Sequence, residues 1–153
     1  MLRLTKKADY GLMALKYLAE QAVLTGDAQS AKDIAEAYHI PHQLLAKILQ
    51  TLVKAGLLVS HPGTNGGYLL ARDAGKITVF EVVRAIDGPL FITSCITVHG
   101  ACDLTDCCTI KEPLSKVNDS IRDVLNGLSI ADMAEPHAAA NPVVASGLVA
   151  LTY

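Results

Sequence analysis

All four cysteines of this 153-residue chain fall between Cys95 and Cys108, inside the stretch SCITVHGACDLTDCCTIKEP that also carries His99. Their spacing is C-x6-C-x4-C-C. A structural zinc site takes paired hooks such as C-x2-C or C-x4-C at both ends, and the adjacent Cys107 and Cys108 do not easily serve one metal, so the pattern argues against zinc. Iron-sulfur clusters tolerate wider spacing and accept three thiolates with a labile fourth ligand, which suits Cys95, Cys102 and Cys108. A thiol switch, which needs only two cysteines and a lowered pKa, is the alternative. Four unliganded thiols in a polar loop are the poorest account, because free cysteine prefers burial.

A second group of residues has the types needed to read nucleic acid. His42, Gln43, Lys47 and Gln50 share the polar side of the segment HQLLAKILQTLVK, whose other side is Leu44, Leu45, Ile48, Leu49, Leu52 and Val53. Glutamine pairs bidentately with adenine, and lysine reaches guanine or phosphate. The same alternation also describes a plain solvated helix face, so the order of the surrounding elements has to carry the argument.

That order is informative. Ala8, Leu12, Leu15, Leu18, Ala19 and Ala22 recur at three and four, predicting a first helix over about 5–23. Ser30 with Asp33 is a near capping box opening a short second helix, and Ile40-Pro41 interrupts the pattern before a third helix starts near His42 and closes at Gly56. LLVSH and YLLA flank the glycine-rich PGTNGG, predicting a two-stranded hairpin. Thr78 with Glu81 then opens a fourth helix that ends at Asp87-Gly88-Pro89.

Three helices followed by a hairpin describe a winged helix-turn-helix, with the third helix in the major groove of double-stranded DNA and the wing on the backbone or minor groove. Thr64 and Asn65 at the wing tip would make contact by hydroxyl, amide or backbone N–H, having no cationic side chain there.

After the cysteine loop, Leu114, Val117, Ile121, Val124 or Leu125, and Leu128 repeat at three and four behind Pro113. Such a stripe packs either on its own domain or on the same helix of a second subunit. Ser129 to Met133 has room for one further turn, and the Ala/Pro-rich tail shows no period. The expected organisation is mainly α with a small β-hairpin: a DNA-binding domain over 1–88, a cluster-binding loop over 89–112, a long dimerisation helix over 113–134 and a tail over 135–153.

Composition agrees with a globular, non-membrane protein. Half of the residues are apolar, 18% are charged and the net charge is -2. Through Lys76 there are nine Lys and Arg against six Asp and Glu, net +3; from Ile77 there are four against nine, net -5. A mildly basic front half suits DNA, and the acidic back half would turn away from it. No apolar run is long enough to cross a bilayer, so a cytoplasmic location is expected, where clustered cysteines serve metals or redox more often than structural disulfides. No nucleophile with a positioned base suggests an enzyme.

RLTKKADYGLMALKYLA, GTNGGYLLARDAGKITVFEVVRAIDG, the cysteine loop and SIADM together resemble the family of iron-sulfur winged-helix transcription regulators that includes IscR, NsrR and the regulators of the Suf operon, across about Met1 to Met133. The resemblance implies a homodimer held by the helix after the loop and a cluster, 2Fe-2S ahead of 4Fe-4S, bound by three cysteines that modulates operator affinity. CDLTDCCTIKEPL then selects Cys102 and Cys108, with Cys95 upstream, and leaves Cys107 as bystander, resolving thiol or substitute ligand. Where IscR-like members place a histidine ligand this chain has Lys111, which cannot ligate, and where NsrR-like members use an aspartate of the first helix from the other subunit it has Asp9. Asp9 ranks first as fourth ligand, His99 second and a small exogenous ligand third. Ala46 replaces an acidic residue that helps IscR discriminate operators. The function implied is a repressor that senses iron-sulfur status for assembly genes; a nitric-oxide sensor and a clusterless thiol regulator are the alternatives.

Overall fold

The computed structural model describes residues 3–93, 102–104 and 106–135. Its elements are α1 (Lys6–Leu24), α2 (Ala31–Tyr38), α3 (His42–Lys54), β1 (Leu58–His61), β2 (Gly67–Leu70), a 3-10 turn (Ala74–Lys76), α4 (Val79–Asp87), α5 (Lys111–Asn126) and α6 (Ile130–Ala134). This is mainly helical with a two-strand hairpin, the expected winged helix-turn-helix.

Local signals set most boundaries. Thr5 caps α1 by accepting from the Ala8 amide, and Ser30 and Thr78 each form a full reciprocal capping box, with Asp33 and Glu81. Each box satisfies two N–H groups that a helix start would otherwise leave orphaned. Gly56 and Gly88 take positive φ just beyond α3 and α4. α5 starts at Lys111, two residues ahead of Pro113. A proline there is tolerated because the first turn has no intrahelical use for its missing N–H.

The core is one cluster. Leu15, Leu18, Ile34, Leu45, Leu49, Leu52, Ile77, Val82, Val83 and Ile130 have side chains removed from water. At about 25 cal/mol per Å2 of apolar surface, each contributes on the order of 1.5–3 kcal/mol, which is what fixes α3 against α1 and α4. Ala22, expected on the buried stripe of α1, is exposed together with Val23 and Leu24, because α1 runs past the layer it packs on.

Two tertiary pairings have no local signature. Gln29 and Tyr68 exchange backbone hydrogen bonds of 3.1 and 2.8 Å, so the segment before α2 lies beside the wing. A Cβ at Gly67 would stand 2.4 Å from the Gln29 carbonyl oxygen, which explains the third glycine of the wing. At the other end, Val79 N–H donates to Leu128 C=O and Ile130 N–H to Ile77 C=O, both at 2.9 Å, and α6 packs on α1. The chain thus returns to the winged helix after α5.

Candidate nucleic-acid interface and cysteine loop

The helix-turn-helix turn is built from three residues. His39 ends α2 in the left-handed conformation, with φ 54°, its N–H bonded to Ala35 C=O. Ile40 is buried and donates to the same carbonyl at 3.0 Å, pinning the corner to the core. Pro41 occupies the N-cap of α3 without a side-chain cap, and no acid stands in the first turn. The free amides and the positive end of the helix dipole therefore remain open to an anion such as a DNA phosphate.

His42, Gln43, Lys47 and Gln50 are all exposed, and within roughly 140° of arc at 3.6 residues per turn they form one face with half-buried Ala46 among them. Lys54 falls on the same arc and extends it by one cation. Thr51 is exposed but directs its hydroxyl back to the Lys47 carbonyl at 3.0 Å, so its donor is committed within the helix.

The wing pairs Leu58 with Leu70, Val59 with Leu69, Ser60 with Tyr68 and His61 with Gly67, antiparallel. Thr64 and Asn65 stand exposed at its tip, as a backbone contact requires. The hairpin is braced from below: Arg72 forms a 2.8 Å ion pair with Glu81 of α4. Burial pushes the Glu81 carboxyl up, but hydrogen bonds from Arg72 and from the amide and hydroxyl of Thr78 outweigh it and hold the acid below its usual range.

In the cysteine loop, Cys102 and Cys108 are half-buried, while Cys107 is exposed and donates its thiol to Leu104 C=O at 3.6 Å. Cys95 and His99 lie outside the described residues. Asp9 sits in the first turn of α1, half-buried and 3.9 Å from Lys6 Nζ. Among the described residues no three His, Cys, Asp or Glu side chains are gathered as a metal site. Sequence reasoning missed two residues that frame this loop. Asp87 accepts from the Thr5 amide at 3.2 Å and from its hydroxyl, and Asn118, buried in α5, accepts from the Ile92 amide at 3.2 Å. Asn118 interrupts no stripe and carries no motif, so nothing local marks it.

α5 packs Leu125 against the core, holds Leu114 and Ile121 half-buried, and leaves Val117 and Val124 exposed at 48% and 73%, with Leu128, just past its end, at 40%. Among the described residues no helix is long and apolar enough to cross a membrane.

Residues 4–136 match the family Rrf2, described as "Iron-dependent Transcriptional regulator". The chain belongs to the Rrf2 family. It is 35% identical over 136 residues to "Protein aau3" of Rhizobium meliloti (strain 1021), covering 88% of this chain and 86% of that protein. Among solved structures, this Rrf2 protein is similar to CymR, "the Global Cysteine Regulator of B. subtilis", at 26% identity and TM-score 0.70, covering 88% and 97% of the two chains. It is also similar to T. potens IscR, at 31% identity and TM-score 0.67, covering 86% and 85%. Rrf2 proteins are DNA-binding transcriptional regulators and not enzymes, which agrees with a recognition helix whose polar side is open.

Proposed function

We propose that this Rrf2 protein is a homodimeric, cytoplasmic repressor of iron-sulfur assembly genes that senses iron-sulfur status through a cluster, 2Fe-2S ahead of 4Fe-4S. The observation that carries this reading is the position of the thiols. Cys102 and Cys108 lie half-buried on the segment linking the DNA-reading module to α5, six positions apart, with Cys95 upstream. Soft thiolates are the donor set that iron-sulfur clusters take, so the chemistry of the residues fits the group.

Cys95, Cys102 and Cys108 would hold the cluster, which supplies a redox- and nitric-oxide-reactive centre when bound. Asp9 of the partner subunit ranks ahead of His99 or a small exogenous molecule as fourth ligand. The chain's own contribution is to order the loop between α4 and α5, fixing the separation of two recognition helices to half-sites about one turn of DNA apart. His42, Gln43, Lys47 and Gln50 would read the operator, with Thr64 and Asn65 on the backbone. The loop's HGACDL and the SIADM ending support the Suf-type target, and the family's iron-dependence supports the cluster.

The second reading, a nitric-oxide sensor, is favoured by Asp9 in the first turn of α1. A clusterless thiol regulator is favoured by the exposed Cys107. Anaerobic reconstitution with iron and sulfide decides between cluster and thiol. A brown protein with visible absorption, stoichiometric iron and sulfide, and operator affinity that changes on cluster removal is expected. A colourless protein whose operator affinity follows thiol oxidation alone would replace the sensor by the thiol regulator.

A further inference from the structure

The arm that leads from α4 into the cysteine loop is fastened at two points. At its root, Asp87 accepts from the amide and hydroxyl of Thr5, the N-cap of α1, so the arm starts against the reading module. At its far end, the Ile92 amide donates to Asn118 Oδ1 in α5 at 3.2 Å across 26 residues of sequence. Asn118 is the buried polar residue among the described residues, 6% exposed, and it lines a cavity between α4 and α5 whose walls include Phe80, Arg84, Leu90, Phe91 and Arg122.

A buried amide on an amphipathic helix, once hydrogen-bonded, specifies one arrangement of the groups it joins, because leaving it unpaired is costly. Here the arrangement is the rotation of α5. Asn118 stands on the edge of α5 that faces its own module, beside Leu114 and Leu125, while the adjacent Val117, with Val124 and, just past the end of the helix, Leu128, forms the bare edge. The Ile92 bond thus ties the arm to the helix that carries the bare edge.

We propose that Asn118 is the positioning residue that couples the cysteine loop to α5, through its hydrogen bond to the Ile92 amide. This inference rests on the cluster-sensing reading above. With the bond made, the loop's state sets the aim of α5; without it, the loop binds its cluster and α5 no longer responds.

The test uses the full chain, reconstituted with iron and sulfide, and DNA from its own upstream region. Affinity is measured for cluster-loaded and stripped protein, and hydrogen exchange is followed at Ile92. Wild type should show a loaded-to-stripped affinity ratio in the range of about 5–150-fold, either sign, as allosteric couplings do. Asn118→Leu, similar in volume but without an acceptor, should keep the visible spectrum and the stripped affinity, bring that ratio to about one, and exchange faster at Ile92. Asn118→Asp keeps the acceptor, with Arg84 on the same cavity and Arg122 there already paired with Asp119, and should retain the ratio. If Asn118→Leu does not fold by circular dichroism, Asn118→Ser, too short to reach the amide, carries the same expectation. A folded Leu or Ser variant with a wild-type ratio, or with unchanged exchange at Ile92, overturns the coupling role alone. A wild-type protein that takes up no cluster overturns the sensing reading, and the coupling role falls with it.

Discussion

Ile130 donates its amide to the carbonyl of Ile77 at 2.9 Å, and both side chains are fully buried. The residue that follows the long α5 thus completes a core that the first four helices begin. α5 is held near its middle by the arm and beyond its end by α6.

Ile130→Ala should therefore destabilise the whole winged helix, not only the last turn. Removing a fully buried isoleucine leaves a cavity and costs about 2–5 kcal/mol. Urea unfolding followed at 222 nm should show the midpoint lowered with the slope unchanged. A loss confined to a few tenths of a kcal/mol would mean α6 is only loosely docked.

The Thr78 and Glu81 capping box should make stability depend on acid. Because the folded carboxyl is held below its unfolded range, Glu81 contributes stability that is complete above the unfolded carboxylate range and is lost as pH falls through the folded value. Glu81→Gln should flatten the acid limb of a stability-against-pH curve while leaving pH 8 to 9 differences roughly constant. Thr78→Ala should cost about 0.5–2 kcal/mol at neutral pH, read by thermal or urea unfolding.

These elements show what the amino-acid order reveals on its own. Ser30 with Asp33 and Thr78 with Glu81 are local motifs, and both helices start where those residues stand. The same motif at Ser129 and Asp132 opens α6, the one further turn expected over Ser129 to Met133, yet Ile130 is one apolar residue among several until Ile77 is beside it. Gln29 against Tyr68 and Asn118 against Ile92 are pairings across long sequence separations, set by tertiary packing that no spacing encodes. The exposed polar face of α3 was legible because amphipathicity and exposure follow one 3.6-residue period. The loop was legible only as cysteine spacing, since spacing by itself sets no three-dimensional arrangement of thiols.

The recognition helix separates two kinds of contact. Lys47→Ala should weaken binding to every DNA sequence alike and reduce the slope of log affinity against log salt by about 1, because one phosphate contact and its released counterion are gone. Gln50→Ala should leave that slope unchanged and cost about 1–3 kcal/mol on the cognate operator only. Fluorescence anisotropy on specific and scrambled duplexes across a salt series distinguishes them. Equal losses on both duplexes for Gln50→Ala would return that residue to the solvated face.

The bare edge of α5 makes a prediction about assembly. Val124, 73% exposed, lies at the centre of the edge with Val117 and Leu128 a turn or two away. Val124→Glu places a charge where the proposed dimer seam would exclude water, so sedimentation velocity should show a monomer with wild-type circular dichroism, and operator affinity should fall by at least the avidity of two half-sites. A dimer that persists unchanged would move the seam elsewhere on the molecule.

The three-cysteine assignment makes the thiols unequal. Cys102→Ser and Cys108→Ser should each abolish or strongly bleach the reconstituted absorption, since loss of a thiolate ligand removes one of the bonds that hold the cluster. Cys107→Ser should leave spectrum and iron content unchanged, in keeping with an exposed thiol turned toward the Leu104 carbonyl. Asp9→Ala tests the fourth position: the cluster should form but with a shifted spectrum and faster loss in air, because water or a small ligand then completes the site. The same variant should keep wild-type thermal stability, since among the described residues the ion pair of Asp9 is a 3.9 Å contact with the well-exposed Lys6. An unaltered spectrum in Asp9→Ala, with a changed one in His99→Ala, would transfer the fourth ligand to His99, and a changed spectrum in Cys107→Ser would transfer it to the neighbouring thiol.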